Sequence, residues 1–256
     1  MAAAGAAVAQ GLSRLGGYSR MKDKQLQQEL LKDLRALDEH QHEIGTPLVL
    51  IGGWAVSSYT RSTRMTHDAD FAASKQSVNR LMALLKSLGY DCQKHPNQIS
   101  AIKWVGDEAI KLRIHIAIDG VFDEITLSRY PLTDEELMHS PRRLLKPFFA
   151  RLKSTEMPVA RIEDLFLMKL LPLRGRDVLD ACLLLLESYA EFDLHRCRAK
   201  ASADELKDIY QQRFAQLAER IRTGDLRVEY QRQLNRRLTA QEEKLILTRL
   251  RNIAKR

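Results

Sequence analysis

One segment of the chain, residues 48–71, constrains the fold more than any other. An apolar run of strand length leads into Gly52 and Gly53, a helical stretch follows, and the next strand carries Asp68 and Asp70. Successive side chains on a strand point to opposite faces, so these two carboxylates share one face, about 6–7 Å apart. Paired carboxylates beside a glycine turn can hold a divalent metal at a phosphate site. Asp68 and Asp70 are therefore the candidate catalytic and metal-binding pair.

Neither part of this pattern is specific alone. An Asp-x-Asp pair occurs on many exposed strands, and a Gly-Gly pair is more often a tight turn than a phosphate cradle, because glycine permits unusual backbone angles. The order of the parts is more specific, since Arg64 and Thr66 precede the two aspartates with the same period of two. The combination is therefore more specific than either part alone.

The segment from Gly52 to Phe71 resembles the signature of the nucleotidyltransferase superfold, in particular the AbiEii-type abortive-infection toxin nucleotidyltransferases. Those proteins read Gly-Gly/Ser, a helix, and then Arg-x-Thr-x-Asp-x-Asp. A second block places Lys169 on a predicted helix and Asp177-x-x-Asp180 on the next, and it resembles the later motifs of that family. The similarity covers roughly residues 48–187.

The resemblance implies metal-dependent transfer of a nucleoside monophosphate from a nucleoside triphosphate to an acceptor hydroxyl. It implies Mg²⁺ on Asp68 and Asp70, and a triphosphate contact from Lys169. For Arg64, either a phosphate contact or an ion pair that holds the acidic strand is open. The implied nucleotide-binding residues are Gly52, Gly53, Arg64, Thr66, Lys169 and Asp180.

The third carboxylate of the superfold falls on His115 when the hydrophobic frame of the later strand is aligned. Imidazole is a poor Mg²⁺ ligand, although it can act as a general base. Asp119 lies roughly 13 Å further along an extended strand and cannot replace it. Either the register differs, His115 is a catalytic base beside two carboxylates, or activity has decayed.

Hydrophobic periodicity predicts a mixed α/β fold followed by a helical C-terminal domain. The resemblance implies that the α/β part is a nucleotidyltransferase-like mixed sheet with flanking helices. The predicted helices cover residues 22–43, 54–61 and 77–88, and two more follow Pro158. The predicted strands cover residues 47–51, a segment closed by Phe71, 99–105, 110–118 and 121–127.

Three regions are expected along the chain. Residues 1–20 are rich in alanine and glycine without acidic residues, which favours a disordered extension from an upstream start codon, with an organelle transit segment as the alternative. Residues 21–157 are predicted to form the α/β domain. Residues 158–256 are predicted to form the helical domain with a basic C-terminal region.

The net charge of +8 and the isoelectric point near 9.4 are compatible with a nucleic-acid partner. From residue 204 onward there are 13 basic and 8 acidic residues. Basic helical faces attract phosphates, so this region is a candidate RNA-backbone contact, with a solvated, ion-paired face as the alternative. Most of the positive charge comes from Arg213, Arg220, Arg222, Arg227, Arg232, Arg236 and Arg237.

Compartment and partners follow from the remaining composition. Cys92, Cys182 and Cys197 are scattered, which is typical of free thiols in a reducing compartment such as the cytoplasm. No apolar run reaches about 18 residues, so no membrane partner is expected. The family resemblance implies a nucleoside triphosphate substrate and an antitoxin-type protein partner.

The resemblance therefore implies a metal-dependent nucleotidyltransferase that acts on an acceptor hydroxyl, and a toxin-like RNA acceptor is one candidate. Two alternatives stay open: a catalytically impaired protein that binds nucleotide or RNA, and an antibiotic-type enzyme that modifies a small hydroxylated molecule. The first alternative follows from His115, and the second from the use of paired carboxylates by small-molecule nucleotidyltransferases.

Overall fold

The computed structural model describes residues 2–106 and 110–255, with side chains from Arg20 onward. Helices and strands alternate in the first part of the chain. The helices are α1 (Ala2–Glu39), α2 (Gln41–Ile44), α3 (Gly52–Tyr59), α4 (Val78–Ser87), α5 (Asp134–Met138), α6 (Ile162–Leu170), α7 (Gly175–Glu187), α8 (Leu194–Ala201), α9 (Lys207–Arg222), α10 (Asp225–Leu234) and α11 (Ala240–Ala254). The strands are β1 (Val49–Ile51), β2 (Asp68–Ala73), β3 (Asp91–His95), β4 (Gln98–Val105), β5 (Ile110–Ile118), β6 (Gly120–Asp123), β7 (Ser128–Pro131), β8 (Arg142–Leu145) and β9 (Thr155–Pro158).

The main sheet has five strands in the order β1-β2-β5-β4-β3. β2 and β5 run parallel, and every other neighbouring pair is antiparallel, so the sheet is mixed. The two shorter sheets are the hairpin β6–β7 and the pair β8–β9. The predicted α/β class with a mixed sheet and flanking helices is confirmed.

The period-two pattern of β5 explains which face of the sheet is covered. Leu112, Ile114 and Ile116 are buried, whereas the intervening Arg113 is exposed and His115 is half-buried. The apolar face packs against α1, whose leucines at helical spacing are buried in the same core. The opposite face is left open at His115, and the candidate site lies there.

Several helices and strands begin or end at residues that differ from the predicted ones. The helix expected over residues 22–43 is divided, because α1 ends at Glu39 and Gly45, at φ +84°, terminates the short α2. β2 does not close at Phe71 but continues to Ala73, which pairs with Ile118 of β5. The strand expected over residues 121–127 stops at Asp123, whose side chain accepts a hydrogen bond from the backbone of Thr126 to form a turn.

The chain from α6 onward is helical throughout the described residues, as expected after Pro158. α7 is the central helix of this part and packs against α6, α10 and α11. The predicted boundary between residues 157 and 158 falls within β9. One apolar core includes buried residues from both sides of that boundary, so the division into two domains stays a prediction.

Two further expectations concern the ends and the surface of the chain. The extension expected over residues 1–20 falls, up to Ser19, on residues whose side chains lie outside the described part of the structure, and its disorder stays a prediction. In the part of the chain that is described, every helix is too short or too polar to cross a lipid bilayer.

Candidate active site

The turn after β1 is shaped to admit the side chain of Asp70. Gly52 has φ +71°, a left-handed conformation that favours glycine. Ile51 lies opposite Asp70 in the antiparallel pair of β1 and β2. A Cβ atom on Gly52 would lie 2.9 Å from Cβ of Asp70 and closer still to a carboxylate oxygen. Gly52 is therefore required both for the turn and for the position of Asp70.

Gly53 has a different reason to be glycine. It is buried in the first turn of α3, where a Cβ atom would lie 2.8 Å from Nη2 of Arg64 and 3.0 Å from Oγ1 of Thr66. Arg64 and Thr66 can approach the helix only because this side chain is absent. Oγ1 of Thr66 is buried, and within the described part of the chain it has no hydrogen-bond partner.

The register of the main sheet places three of the predicted residues together. Asp68 and Asp70 lie on one face of β2, and His115 is the direct neighbour of Asp70 on β5. Ser100 of β4 lies opposite His115 in the next pair. His115 therefore lies beside Asp70 in space, and its match to the third carboxylate position stays a prediction.

Asp119 forms a hydrogen bond outside the cleft. It follows the end of β5 with φ +55°, and its Oδ1 accepts a hydrogen bond from the backbone N–H of Lys75 at 2.8 Å. It lines a separate surface depression with Ser74 and Thr133. The register thus agrees with the expectation that Asp119 does not stand in for a carboxylate at His115.

A cleft of about 700 Å³ opens over this face of the sheet. Its floor includes Asp68, Asp70 and His115, and one wall is the connection between α6 and α7. The other walls are the β3–β4 turn and the β6–β7 hairpin. Residues that line it include Gly52, Asn97, Gln98, Ser100, Phe122, Glu124, Lys169, Pro172, Arg174 and Asp177.

Asp70 is electrostatically unfavourable as a carboxylate in this site. Burial and the neighbouring charge of Asp68 raise its pKa from 3.8 to about 6, although Lys169, His115 and Arg64 act in the opposite direction. Among the residues that the structure describes, neither Asp68 nor Asp70 forms an ion pair. The cleft therefore contains two adjacent carboxylates that form no ion pair with any described basic side chain.

A second acidic pair, Asp177 and Asp180 on α7, is fully paired. Arg64 binds Asp180 through Nε and Nη2, both at 2.8 Å, and Nζ of Lys169 lies 2.9 Å from the same carboxylate. Lys169 also contacts Asp177 at 3.2 Å, and Nε of Arg174 contacts Asp177 at 2.8 Å. These cations hold the pKa of Asp180 below its usual value in spite of its burial.

The predicted site residues thus divide into two groups. Gly52, Asp68, Asp70, His115 and Lys169 line the cleft. The remaining predicted residues are buried away from its lining: Gly53, Arg64, Thr66 and Asp180. Of the two readings of Arg64, the ion pair that ties the acidic strand to α7 is the one observed.

Sequence reasoning missed several residues of the cleft. Asp177 was part of the recognised motif but was not expected to line the cleft, and Arg174 directly precedes that helix. Their position beside the motif was the available signal. Asn97, Gln98 and Ser100 come from a polar hairpin that carries no pattern of its own, and only the sheet register brings them to the site.

The donors on the floor of the cleft suit a hard divalent cation. Mg²⁺ prefers carboxylate oxygens, keeps several waters, and is usually bound by one or two carboxylates together with substrate phosphates. Within the described ranges, no three His, Cys, Asp or Glu side chains converge into a preformed metal site. Two unpaired carboxylates that repel one another fit a metal that is completed by phosphate and water.

The basic C-terminal region is largely ion-paired. Five of its arginines contact carboxylates on the same or a neighbouring helix: Arg220–Asp225, Arg222–Glu219, Arg227–Glu243, Arg232–Glu229 and Arg236–Glu242. Mixed charges on exposed helices commonly pair in this way. The pairing matches the ion-paired alternative considered for this region.

Comparison with known proteins covers most of the chain. The family model described as "Nucleotidyl transferase AbiEii toxin, Type IV TA system" matches residues 35–254. A solved structure of an H. pylori protein assigned as a nucleotidyltransferase is 16% identical, with a TM-score of 0.51, over 90% of this chain and 94% of that one. JHP933 from Helicobacter pylori is 15% identical, with a TM-score of 0.49, over 90% and 91%. No curated protein is significantly similar to the chain.

Proposed function

Because the chain belongs to the AbiEii nucleotidyl transferase toxin family, we propose that it transfers a nucleoside monophosphate from a nucleoside triphosphate to a hydroxyl of RNA, with Mg²⁺ as cofactor. The observation that carries this proposal is the unpaired carboxylate pair, Asp68 and Asp70, on the floor of the cleft. Two adjacent carboxylates repel each other in the protein without metal, and a bound cation reduces that repulsion.

Nucleotidyltransferases generally use a divalent metal ion. Asp68 and Asp70 would hold Mg²⁺, which when bound polarises the α-phosphate and supports in-line displacement of pyrophosphate. Asp70 must be ionised to serve as a ligand. The position of its carboxylate is fixed by Gly52 on one side and by the sheet register on the other.

The anion-binding groups come from two elements. The backbone N–H groups at the start of α3 carry the positive end of the helix dipole and attract phosphate. Lys169 contributes its ammonium at the cleft wall, where two of its three N–H groups are directed to Asp177 and Asp180. One N–H group is left to donate to a triphosphate oxygen.

His115 is the proposed base for the acceptor hydroxyl. Its ring is half-buried on the floor of the cleft, and it is the strand neighbour of Asp70. A neutral imidazole can accept a hydroxyl proton near neutral pH. The proton would move from the acceptor oxygen to a ring nitrogen as the oxygen attacks phosphorus.

Arg64, Thr66, Gly53 and Asp180 support the site from behind. The bidentate pair between Arg64 and Asp180 joins the segment before β2 to α7, and Lys169 lies in the same ionic cluster. We assign these residues a positioning role, because they orient the acidic strand and the lysine without lining the cleft.

The partners and compartment are also proposals. The family description names a type IV toxin–antitoxin system, which favours an antitoxin-type protein partner. The net charge of +8 favours RNA over a small neutral acceptor. Cys92, Cys182 and Cys197 are free thiols, as expected in a reducing cytoplasm.

The direct test is label transfer from each of the four nucleoside triphosphates to total RNA in the presence of Mg²⁺. We expect transfer with the wild-type chain and none with Asp70→Ala. Asp91→Asn, which alters an exposed carboxylate on the edge strand β3, is the matched control and should leave transfer unchanged. Transfer to small hydroxylated molecules but not to RNA would favour the antibiotic-type alternative.

One observation favours the impaired binding protein as the second candidate. His115, which the resemblance aligns with the third carboxylate, is the strand neighbour of Asp70, and among the described residues no third carboxylate converges on Asp68 and Asp70. His115→Asp separates the candidates. If that variant gains activity, the histidine impairs catalysis in the wild type. If it loses the activity of the wild type, the histidine acts as the general base.

A further inference from the structure

We propose that the guanidinium of Arg174 binds the β- and γ-phosphates of the nucleoside triphosphate. This inference rests on the proposed function and extends the phosphate-binding set beyond Lys169. Arg174 lines the cleft together with Asp70, and its side chain is 71% exposed. It lies on the connection between α6 and α7, on the same wall as Lys169.

The charge of Lys169 is already balanced. Its ammonium lies between two buried carboxylates, at 3.2 Å from Asp177 and 2.9 Å from Asp180. Asp180 also accepts both hydrogen bonds from Arg64. Lys169 and Arg64 thus compensate Asp177 and Asp180, and this cluster alone presents almost no net positive charge to a triphosphate.

Arg174 adds one positive charge to that cluster and keeps its donors available. Its Nε donates to Asp177, which fixes the base of the guanidinium. In the part of the chain with described side chains, neither terminal nitrogen of Arg174 has a hydrogen-bond partner. Asp123 and Asp70 line the same cleft as Arg174.

The backbone before Arg174 is held in an unusual conformation. Leu173 has φ +46°, which is uncommon for a residue with a side chain, and this leucine is buried. Arg220 of α9 donates a hydrogen bond to the carbonyl oxygen of Leu173. Strained residues persist where the surrounding structure holds them, and they cluster at functional sites. Here the strained residue directs the chain so that Arg174 enters the cleft.

The chemistry of guanidinium suits this role. Its two terminal nitrogens form a planar fork that can donate to two phosphate oxygens at once, which an ammonium cannot do. One hydrogen bond to a charged group contributes about 1.5–3 kcal/mol. Loss of that contribution corresponds to roughly a 10- to 150-fold weaker affinity.

The test compares Arg174→Gln with Arg176→Gln in the full chain. Arg176 is also exposed and lies one residue into α7, but it does not line the cleft. Calorimetry with Mg²⁺ would measure the affinity of a non-hydrolysable nucleoside triphosphate analogue and of the corresponding monophosphate. We expect Arg174→Gln to weaken triphosphate binding by roughly 10- to 100-fold and to leave monophosphate binding within about twofold. Arg176→Gln should change neither affinity by more than about twofold.

Two results would overturn the inference. Either Arg174→Gln binds the triphosphate as tightly as the wild type, or it loses triphosphate and monophosphate affinity equally, which would indicate a structural role through Asp177. Arg174→Lys is the second variant: it keeps the charge without the fork, so triphosphate affinity should lie between those of the wild type and Arg174→Gln. If the wild type itself binds no Mg²⁺-nucleotide, the proposed function fails, and the inference fails with it.

Discussion

Two acidic pairs lie within the same site, and they differ in whether their carboxylates form ion pairs with basic side chains. Asp180 is only 1% exposed, yet it is contacted by Arg64 and Lys169, and its pKa is lowered. Asp70 lies half-buried on the floor of the cleft beside Asp68, and its pKa is raised to about 6. Burial alone therefore does not set the state of a carboxylate here. Among the described residues, Asp68 and Asp70 form no ion pair, whereas Asp177 and Asp180 are both paired with basic side chains.

On the proposed function, this difference separates a metal-binding pair from a pair that stabilises the site. A carboxylate with its protein partners already in place stabilises the fold and has little capacity to bind anything else. A charged carboxylate without a nearby protein cation destabilises the folded protein, and a bound metal ion removes that destabilisation.

The largest effect on stability is expected at Asp180. Asp180→Asn leaves Arg64 and Lys169 buried with one carboxylate too few, and breaking a buried ionic cluster costs about 3–5 kcal/mol. Urea denaturation would measure this loss of unfolding free energy. The control is Glu219→Gln, which breaks the exposed pair with Arg222 and should cost less than about 1 kcal/mol. A cost at Asp180 as small as that of the control would show that the pair is not a support.

An intermediate effect is expected at Gly52. Gly52→Ala adds a Cβ atom at φ +71° that overlaps Asp70, so it should strain the turn and displace the carboxylate. Gly224→Ala is the matched control, because Gly224 has φ +93° but nothing within 4 Å of the added atom. Both should lose about 1 kcal/mol of stability from backbone conformation. Only Gly52→Ala should also abolish Mg²⁺-dependent nucleotide binding; retention of that binding would contradict the role of the turn.

The smallest effect is a shift of pH dependence. On the proposed function, Asp70 must be ionised to bind metal, and its raised pKa means that its protonation begins near neutral pH. Mg²⁺-dependent nucleotide binding should therefore decline as the pH falls through about 6, by up to tenfold per pH unit below that value. Titration calorimetry across pH 5 to 8 would measure it. A decline that begins only near pH 4, the ordinary range of an aspartate, would indicate that Asp70 is not perturbed.

Much of the site could be predicted because it is local in sequence. The turn at Gly52 and the two aspartates lie on consecutive elements, and the period of two fixes their common face. The parallel pairing of β2 with β5 also agrees with the alignment that placed His115 at the third carboxylate position. These features depend on strand geometry, which the residue pattern encodes.

The features that could not be predicted depend on long-range contacts. Arg64 and Asp180 are motif residues that the resemblance assigned to nucleotide binding. In the structure they form a buried ion pair at 2.8 Å, and they lie 116 residues apart in the sequence. Arg174 has no pattern that distinguishes it from Arg176, and only the packing of α6 and α7 brings it into the cleft. The short strands β8 and β9 were missed because their residues do not alternate in hydrophobicity.

Among the described residues Asp68 and Asp70 form no ion pair, and on the proposed function a metal ion neutralises them. The most direct measurement is the unfolding free energy of the wild type and Asp70→Asn near pH 7.5, with and without Mg²⁺. The folded-state pKa of Asp70 lies above its unfolded value of 3.8, so its stabilising contribution is present at low pH and is lost as the pH rises through about 6.

Without metal, Asp70→Asn should therefore be more stable than the wild type by about 1–3 kcal/mol, because asparagine removes the unfavourable charge. Mg²⁺ should stabilise the wild type and leave the variant unchanged. A variant that is less stable than the wild type without metal, and wild-type stability that does not respond to Mg²⁺, would contradict the claim.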